Sequence, residues 1–472
     1  MAQKYNLIII GGGPGGYTAA LKAVSLGLRT VVVEKERLGG VCLNRGCIPT
    51  KALLFASGMF AKMQNCDEFG VSTDFISFDF GKMQDYKRKS VKTYREGIRD
   101  LFEKNHVDFI TGTATIRRGR TVEVNGENGR DYYEADNIII ATGAKPFIPD
   151  IPGIHRPGVV TSDQILSSRN WNYDRLTIIG GGVIGVEFAT IFNSLCSKIT
   201  IVEQGETLLG PMDREVSREL EEELRRKGIT VYCGAKVKEI GEGLTCIIEQ
   251  NGEEISIRSN QVLIATGRAP YTKGLFGSDV GLKMENGRII ADGNFMTSEP
   301  GIYAVGDVVS KIRLAHVAAA QGTYVVETIA GKEHSMRLEV VPNGMFVSLP
   351  VVPSCIFTDP EIATVGITEE QARKMNMKVR CGHYNMSTNG KSIIVKEQSG
   401  FIRLIFEAYS NTIVGAQIMC PRATDMIGEM ATAIANGLTA SQMSLAMRAH
   451  PTYSEGIAEA IQDAMGKDSK KQ

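Results

Sequence analysis

Two cysteines separated by four residues, Cys42 and Cys47, are the residues best placed for redox chemistry. Pro49 suits the first turn of a helix, and Lys51 follows Cys47 by one turn on the same helical face. A helix N-terminus and a nearby cation both favour the thiolate, which is the nucleophilic form of cysteine. The alternative is a pair of core cysteines without chemistry, since free cysteine is commonly buried. The flanking glycines, proline and lysine favour a redox-active pair.

A dinucleotide-binding unit is predicted just before this motif. The apolar run Leu7–Ile10 predicts a strand, and a glycine-rich turn and a helix follow it. Gly11 suits the tight turn, Gly13 lets the backbone approach a pyrophosphate, and Gly16 permits close helix packing. A second strand ends at Glu34, which is placed to accept from a ribose hydroxyl. Because strand, turn, helix and acid are all present, a glycine-rich turn without function is disfavoured.

The same unit occurs a second time. The run Leu176–Ile179 precedes Gly180, Gly182 and Gly185, and the next strand ends at Glu203. In both units the acid follows the first glycine by 23 residues. This equal spacing predicts two dinucleotide sites. Glu203 suits a free ribose 2′-hydroxyl, and the segment 204–207 holds no arginine for a 2′-phosphate, so NAD is predicted rather than NADP.

Three further segments predict contacts to these cofactors. Each unit has a strand that ends in Ala-Thr-Gly, at 141–143 and at 265–267, typical of a backbone edge against a cofactor. Residues 301–307 read as a strand followed by Gly306 and Asp307, which suit a cofactor polyol. Near the C-terminus, His450 precedes a proline and lies five residues before Glu455, so a base with an orienting carboxylate competes with a structural histidine.

The length of 472 residues suggests about three domains. Lys plus Arg and Asp plus Glu number 53 each, so no overall charge favours nucleic acid or an anionic membrane. No apolar run reaches the ~18 residues of a membrane span, and no signal peptide is recognised, so a cytoplasmic location is expected. The nine cysteines are mostly scattered, which argues against a secreted disulfide scaffold. Residues 57–104 are predicted to be largely helical.

Nearly the whole chain resembles the flavin-dependent pyridine nucleotide–disulfide oxidoreductases (class I), and within them the dihydrolipoyl dehydrogenase group. The motifs that carry the resemblance are residues 39–54, the two glycine units, Gly306-Asp307 and residues 450–455. It implies an α/β fold with two Rossmann-like dinucleotide-binding domains plus a central domain and a C-terminal α+β dimerisation domain. The implied bounds are an FAD domain with the redox disulfide at 1–148, an NAD domain at 149–269, a central domain at 270–335, a linker or insertion at 336–352 and an interface domain at 353–472.

The resemblance also implies roles for single residues. Cys47 would be the thiolate nearest the flavin, and Cys42 would exchange with substrate. Lys51 would pair with Glu187 near the flavin. His450, delivered from the partner subunit of a homodimer, would take the dithiol proton. Glu455 would orient the imidazole of His450.

FAD and NAD are the implied cofactors, and no metal site is expected. The residues expected to bind the two cofactors are Gly11, Gly13, Pro14, Gly16, Glu34, Lys35, Gly40, Val41, Cys42, Lys51, Ala114, Ala141, Thr142, Gly143, Gly180, Gly182, Val183, Ile184, Gly185, Glu187, Glu203, Val237, Gly267, Gly306, Asp307, Leu314, Ala315 and His316.

The implied reaction is oxidation of protein-bound dihydrolipoamide, with hydride passed to NAD. The expected partner is a lipoylated protein, either an acyltransferase core of a 2-oxo acid dehydrogenase or the glycine cleavage carrier, with no nucleic acid and no membrane. A glutathione- or mercuric-reductase-like enzyme, a reductase of a thioredoxin-like partner, and a redox-sensing flavoprotein are the alternatives. The tail 464–472 has no cysteine pair, which argues against a mercuric reductase or a large thioredoxin reductase. Glu203 disfavours NADP, which argues against a glutathione reductase.

Three positions depart from the family pattern. Thr50 stands where many relatives have serine, and Ala114 replaces a common glycine. The segment 335–352 is longer than the family pattern, so the sequence does not fix the residue at which the interface domain begins.

Overall fold

Each glycine-rich motif joins a buried parallel strand to a helix in the computed structural model of this chain. The structure describes residues 3–127, 129–336 and 351–466, and the backbone of 339–340 and 347–348. Mixed sheets with helices packed on them confirm the predicted α/β class. Most of the proposed linker 336–352 lies outside the described residues.

The first sheet carries the first glycine motif. Its central strands are parallel, in the order β3-β2-β1-β6, and an antiparallel branch β5-β4 continues from β6. A seventh strand, Ile302–Ala304, pairs in parallel with β6 although it comes far later in the chain. The elements are β1 (Gln3–Ile10), α1 (Pro14–Ser25), β2 (Thr30–Glu34), α2 (Gly40–Arg45), α3 (Cys47–Gln64), α4 (Phe80–Lys104), β3 (Asp108–Thr111), β4 (Thr113–Arg117), β5 (Thr121–Gly126) and β6 (Gly129–Ile140).

The second sheet is wholly parallel, in the order β11-β10-β9-β15-β8, and carries the second glycine motif. A three-stranded antiparallel sheet, β12-β13-β14, lies beside it, and β7 pairs with β16. The elements are β7 (Ala144–Pro146), β8 (Val159–Thr161), α5 (Ser162–Ile165), β9 (Arg175–Ile179), α6 (Val183–Ser194), β10 (Lys198–Val202), α7 (Arg214–Arg226), β11 (Thr230–Tyr232), β12 (Ala235–Ile240), β13 (Thr245–Gln250), β14 (Glu253–Arg258), β15 (Gln261–Ile264) and β16 (Arg268–Pro270).

The remaining elements return the chain to the first sheet and then form a third. Strand β19 completes the first sheet, and β22-β23-β26-β25-β24 form an antiparallel sheet. The elements are β17 (Met284–Glu285), β18 (Arg288–Ile289), β19 (Ile302–Ala304), α8 (Ala315–Ile329), β20 (Glu339–Val340), β21 (Val347–Ser348), β22 (Ser354–Ile356), β23 (Ile362–Gly366), α9 (Glu369–Lys374), β24 (Val379–Asn385), α10 (Gly390–Val395), β25 (Phe401–Glu407), β26 (Ile413–Met419), α11 (Ala423–Ala435), α12 (Ala440–Ser444) and α13 (Glu455–Gly466).

Helix packing brings the cysteine motif to the second sheet. Leu53 and Phe60 of α3 share one apolar core with Phe188 and Phe192 of α6. Helix α1 packs on α8 through glycine: a Cβ on Gly322 would lie 2.5 Å from the oxygen of Gly15. These contacts fix α3 against α6 and α1 against α8, and the N-terminal ends of α1, α3 and α6 hold the predicted chemistry.

Candidate active site

The cysteine helix is in backbone contact with the first glycine turn. Gly39, with φ +99°, precedes α2, and its N–H donates to the oxygen of Gly12 at 2.7 Å. A Cβ on Gly40 would lie 2.5 Å from the Cα of Gly13. Only glycine permits this approach, so the turn that faces a dinucleotide also positions the two cysteines.

The two thiols are electrostatically unequal. Both are free cysteines. The Cys42 thiol donates a hydrogen bond to the Cys47 sulfur, and with the Lys51 ammonium this lowers the pKa of Cys47 to about 7. The same hydrogen bond and burial raise the pKa of Cys42. Cys47 is therefore the better thiolate, and Cys42 holds the shared proton.

Lys51 is held by a buried carboxylate from the second unit. Its Nζ lies 2.8 Å from both oxygens of Glu187, which is 3 % exposed in α6. The N–H of Phe357 donates to the same Glu187 at 3.0 Å, and Lys51 lies 4.6 Å from the centre of the Phe357 ring. The predicted lysine–glutamate pair is thus formed in the structure. Glu187 joins residues of the first sheet's helices, the second unit and the C-terminal part.

The first glycine turn has the form of a dinucleotide cradle. Gly11 has φ +110°, and a Cβ on Gly16 would lie 1.9 Å from the oxygen of Gly11. Gly13 caps α1 without a side chain, which leaves the first N–H groups of the helix for an anion. Glu34 accepts from the N–H of Gly12 at 2.8 Å and from that of Glu36 at 2.9 Å. Its carboxylate is thereby fixed at the end of β2.

The second turn repeats this geometry. Gly180 has φ +111°, and a Cβ on Gly185 would lie 2.0 Å from the oxygen of Gly180. Glu203 accepts from the N–H of Gly181 and from that of Gly205, both at 2.6 Å. Gly182 caps α6 without a side chain, and Val183 and Ile184 form its first turn. Both cradles therefore fit a dinucleotide by the shape and chemistry of their residues.

The other predicted FAD contacts lie around the C-terminal edge of the first sheet. Gly306 donates to Gln321 Oε1 at 2.7 Å, and burial raises the pKa of Asp307 against the opposing charges of Arg268 and Arg313. Lys35 Nζ lies 3.8 Å from the centre of the Tyr271 ring. The remaining positions are Pro14 at the start of α1, Val41 in α2, the buried Ala114 in β4, Ala141, Thr142 and Gly143 after β6, and Leu314, Ala315 and His316 at the start of α8.

Two further predicted residues of the second unit lie outside its glycine turn in sequence. Val237 is buried in β12, and Gly267, with φ +112°, follows β15. Both belong to the half of the molecule that carries the second cradle.

His450 lies on an exposed loop before α13. Its Nδ1 is 2.8 Å from Glu455 Oε1, and the N–H of Thr452 donates to Glu455 Oε2 at 2.8 Å. The Thr452 N–H, and then His450, hold the pKa of Glu455 below its ordinary value. The His450 side chain is 78 % exposed, and among the described residues no hydrogen bond joins it to either cysteine of the same chain. The structure thus forms the His450–Glu455 pair without bringing it to the dithiol.

An ion cluster beside the dithiol was missed by the sequence reasoning. Asp163 lies 3.8 Å from Arg45, a residue that falls between the two cysteines in sequence. Asp163 also lies 3.8 Å from Arg268, the residue after Gly267. Burial raises the pKa of Asp163. The buried atoms Arg45 Nε, Asp163 Oδ1 and Arg268 Nε have no hydrogen-bond partner within the described chain. Only the positions of the two arginines, each inside or next to a recognised motif, could have signalled it.

Neither a metal cluster nor a membrane-spanning helix is found among the described residues. No group of three or more His, Cys, Asp or Glu side chains is arranged to hold a metal ion there. In the same part of the chain no helix is long and apolar enough to cross a membrane.

Comparisons with known proteins agree with this geometry. The family model "Pyridine nucleotide-disulphide oxidoreductase" matches residues 5–322, and the model of that family's dimerisation domain matches 352–461. A dihydrolipoyl dehydrogenase of Bacillus subtilis (strain 168) is 35% identical, covering 99% of both chains. One from Geobacillus stearothermophilus is 36% identical, covering 98% of this chain and 97% of the other. The solved structure of RclA, an HOCl-induced flavoprotein disulfide reductase from Escherichia coli, has a TM-score of 0.82 and 25% identity, covering 98% of this chain and 99% of its own.

The fold and the paired cradles beside a dithiol are those of a flavoprotein disulfide oxidoreductase. The chain belongs to the pyridine nucleotide-disulphide oxidoreductase family. The predicted family and the predicted cofactors FAD and NAD are confirmed by these matches, and the dimerisation domain supports the predicted homodimer. The domain bounds and the roles of single residues stay predictions.

Proposed function

We propose that this protein is a dihydrolipoyl dehydrogenase, which oxidises the dihydrolipoamide of a lipoylated protein and reduces NAD. The observation that carries the proposal is the unequal Cys42–Cys47 pair, fixed against one dinucleotide cradle and linked through Lys51 to the helix of the other. The named relatives at 35% and 36% identity support the same substrate. When bound, FAD supplies a two-electron relay between the dithiol and NAD.

The pKa difference assigns the order of sulfur chemistry. In the oxidised enzyme Cys42 and Cys47 form a disulfide. A substrate thiolate attacks Cys42, and Cys47 departs, because a thiolate of low pKa is the better leaving group. The second substrate thiol then displaces Cys42 from the mixed disulfide. Lipoamide leaves as a cyclic disulfide, and the enzyme retains the two electrons as the Cys42–Cys47 dithiol.

His450 is assigned the proton transfers of this exchange. Glu455 accepts from its Nδ1 side, which leaves Nε2 to take the proton of the attacking thiol and return it to Cys42. Because no hydrogen bond joins His450 to either cysteine of its own chain, we assign it to the dithiol of the partner copy in a homodimer.

Residues of the two cradles are assigned to the cofactors. The turn of Gly11, Gly13 and Gly16, with Glu34 and Asp307, is the FAD site, and the turn of Gly180, Gly182 and Gly185, with Glu203, is the NAD site. Lys51 places positive charge beside the dithiol. The nine cysteines are mostly scattered singly, which suits a reducing compartment, and we propose a cytoplasmic location in a 2-oxo acid dehydrogenase or glycine cleavage system.

The test is steady-state reduction of NAD by dihydrolipoamide, compared with NADPH-driven reduction of oxidised glutathione by the same purified flavoprotein. We expect turnover with dihydrolipoamide and little with glutathione. Cys42→Ser should abolish that turnover. A preference for oxidised glutathione would overturn the assignment of dihydrolipoamide as substrate, but it would not contradict the proposed dithiol chemistry.

His450→Gln should lower dihydrolipoamide oxidation by about 10²–10⁴-fold, the usual value of a general base. The rate at which NADH reduces the flavin should equal that of the native protein, because that half-reaction needs no base at the dithiol. Normal dihydrolipoamide turnover by this variant would remove His450 from the mechanism.

A further inference from the structure

An exposed apolar surface runs along the helix that begins at Cys47. Phe55, Met59 and Met63 follow one another at four-residue spacing on α3 and are 61%, 51% and 49% exposed. Phe75, at 83%, and Tyr86 of α4 extend this surface, and the Phe55 and Tyr86 ring centres are 6.4 Å apart. These five side chains, here called the α3 face, line a groove of about 550 Å³. Clustered exposed apolar residues of this kind mark an interaction site.

A second exposed apolar feature comes directly before His450. Leu445 is 83% exposed and Met447 is 100% exposed. The segment that carries them is anchored, because Arg448 lies 2.5 Å from Glu429 of α11 and donates to the oxygen of Ala446 at 3.1 Å. Met447 is therefore presented to solvent from a fixed loop.

The spacing of the two features matches. Phe55 comes eight residues after Cys47 in α3, which is about 12 Å along the helix axis. Met447 comes three residues before His450, which spans at most about 10 Å of chain. A histidine placed at the Cys47 end of α3 therefore puts this methionine within reach of Phe55.

We propose that Leu445 and Met447 of one copy seat on the α3 face of the second copy, and that Met447 thereby positions His450 over that copy's dithiol. Both surfaces are exposed in the single chain, so neither covers the other there. Leu445 and Met447 lie within the matched dimerisation domain, residues 352–461. The second copy is thus the occupant. The inference rests on the proposed function, because it concerns the base of that reaction.

Cross-linking tests the contact itself. Phe55→Cys and Met447→Cys chains with different tags are co-expressed, and the heterodimer is isolated through both tags. We expect a disulfide-linked pair of the two chains on a non-reducing gel. Met375 is the matched control, since it is 61% exposed at the end of α9. Equal linkage with Met375→Cys, or none with Met447→Cys, would overturn the contact.

Kinetics test the positioning role. Met447→Ser should lower kcat for dihydrolipoamide oxidation by about tenfold, the value of one buried methionine contact. The rate at which NADH reduces the flavin should not change, and Met447→Leu should restore kcat. Met375→Ser should behave as the native protein. If the native protein oxidises dihydrolipoamide and Met447→Ser does so equally well, the positioning role fails while the proposed function stands; if the native protein lacks this activity, the proposed function itself fails.

Discussion

At the residue scale, the chemistry of the site depends on making two neighbouring cysteines different. Cys42 donates to Cys47, and Lys51 adds positive charge, so the pKa of Cys47 falls to about 7 from an ordinary value of 9.0. The thiolate of Cys47 therefore persists to lower pH than that of an ordinary cysteine in the reduced protein. Its reactivity should decline only when the pH falls through this lowered pKa.

Lys51→Met should raise the pKa of Cys47, because it removes the positive charge that helps to lower it. Alkylation of the reduced protein by iodoacetamide at neutral pH should slow by up to about tenfold, since one pKa unit changes the thiolate fraction tenfold. Its pH profile should shift to higher pH. Lys62→Met is the control on the same helix, because Lys62 is exposed and pairs with Glu397. A Lys51→Met profile that coincides with the native one would contradict the charge argument.

Residue patterns in the sequence predicted the cysteines, Lys51 and Glu203, because each lies in a local motif whose spacing reports its surroundings. Asp163 and Phe357 could not be predicted in this way. They reach the site through folding, and their own sequence neighbourhoods contain no motif of redox chemistry.

At the element scale, two strand–turn–helix units use one device twice. A glutamate at the end of the second strand accepts from a glycine-turn N–H and from the N–H two residues after itself. The carboxylate therefore stabilises the turn, in addition to the ribose contact that we propose for it.

Glu203→Ser combined with Gln204→Arg should shift coenzyme preference from NAD toward NADP by about tenfold or more, because it replaces a repelling carboxylate with a cation near the 2′ position. The measurement is the ratio of kcat/KM for the two coenzymes. Glu34→Ser, the equivalent change in the first unit, should lower FAD content and leave that ratio unchanged. The same ratio in the Glu203 variant and the native protein would show that the ribose contact is misassigned.

The strands and helices of both units could be predicted because apolar periodicity and glycine spacing are local. The prediction that residues 57–104 are largely helical is confirmed, but it missed a break: α3 ends at Gln64, a short 3-10 helix spans Cys66–Phe69, and α4 begins at Phe80. Gly70, with φ +76°, lies in the intervening loop. The residues around Gly70 show no strong hydrophobic periodicity, so the sequence does not reveal the break between α3 and α4.

At the scale of the whole molecule, Glu187 is where three parts of the chain meet. Its carboxylate is almost fully buried and binds Lys51 and the Phe357 N–H. Glu187→Ala leaves a partly buried ammonium and a backbone N–H without this partner. We expect a loss of about 1–3 kcal/mol in the free energy of unfolding, measured by denaturant titration of flavin fluorescence. Glu222→Ala, at an exposed position of α7, should change it by less than about 0.5 kcal/mol. Equal effects of the two changes would contradict a linking role for Glu187.

The late strand β19 has a consequence for synthesis on the ribosome. It pairs with β6, yet more than 150 residues separate the two strands, and the whole second parallel sheet is made in between. The first sheet therefore lacks one strand while the residues of the second parallel sheet leave the ribosome, and these residues can fold by themselves. The first glycine cradle, although made first, is completed only after β19 has emerged, so a nascent chain should complete the proposed NAD half before the proposed FAD half.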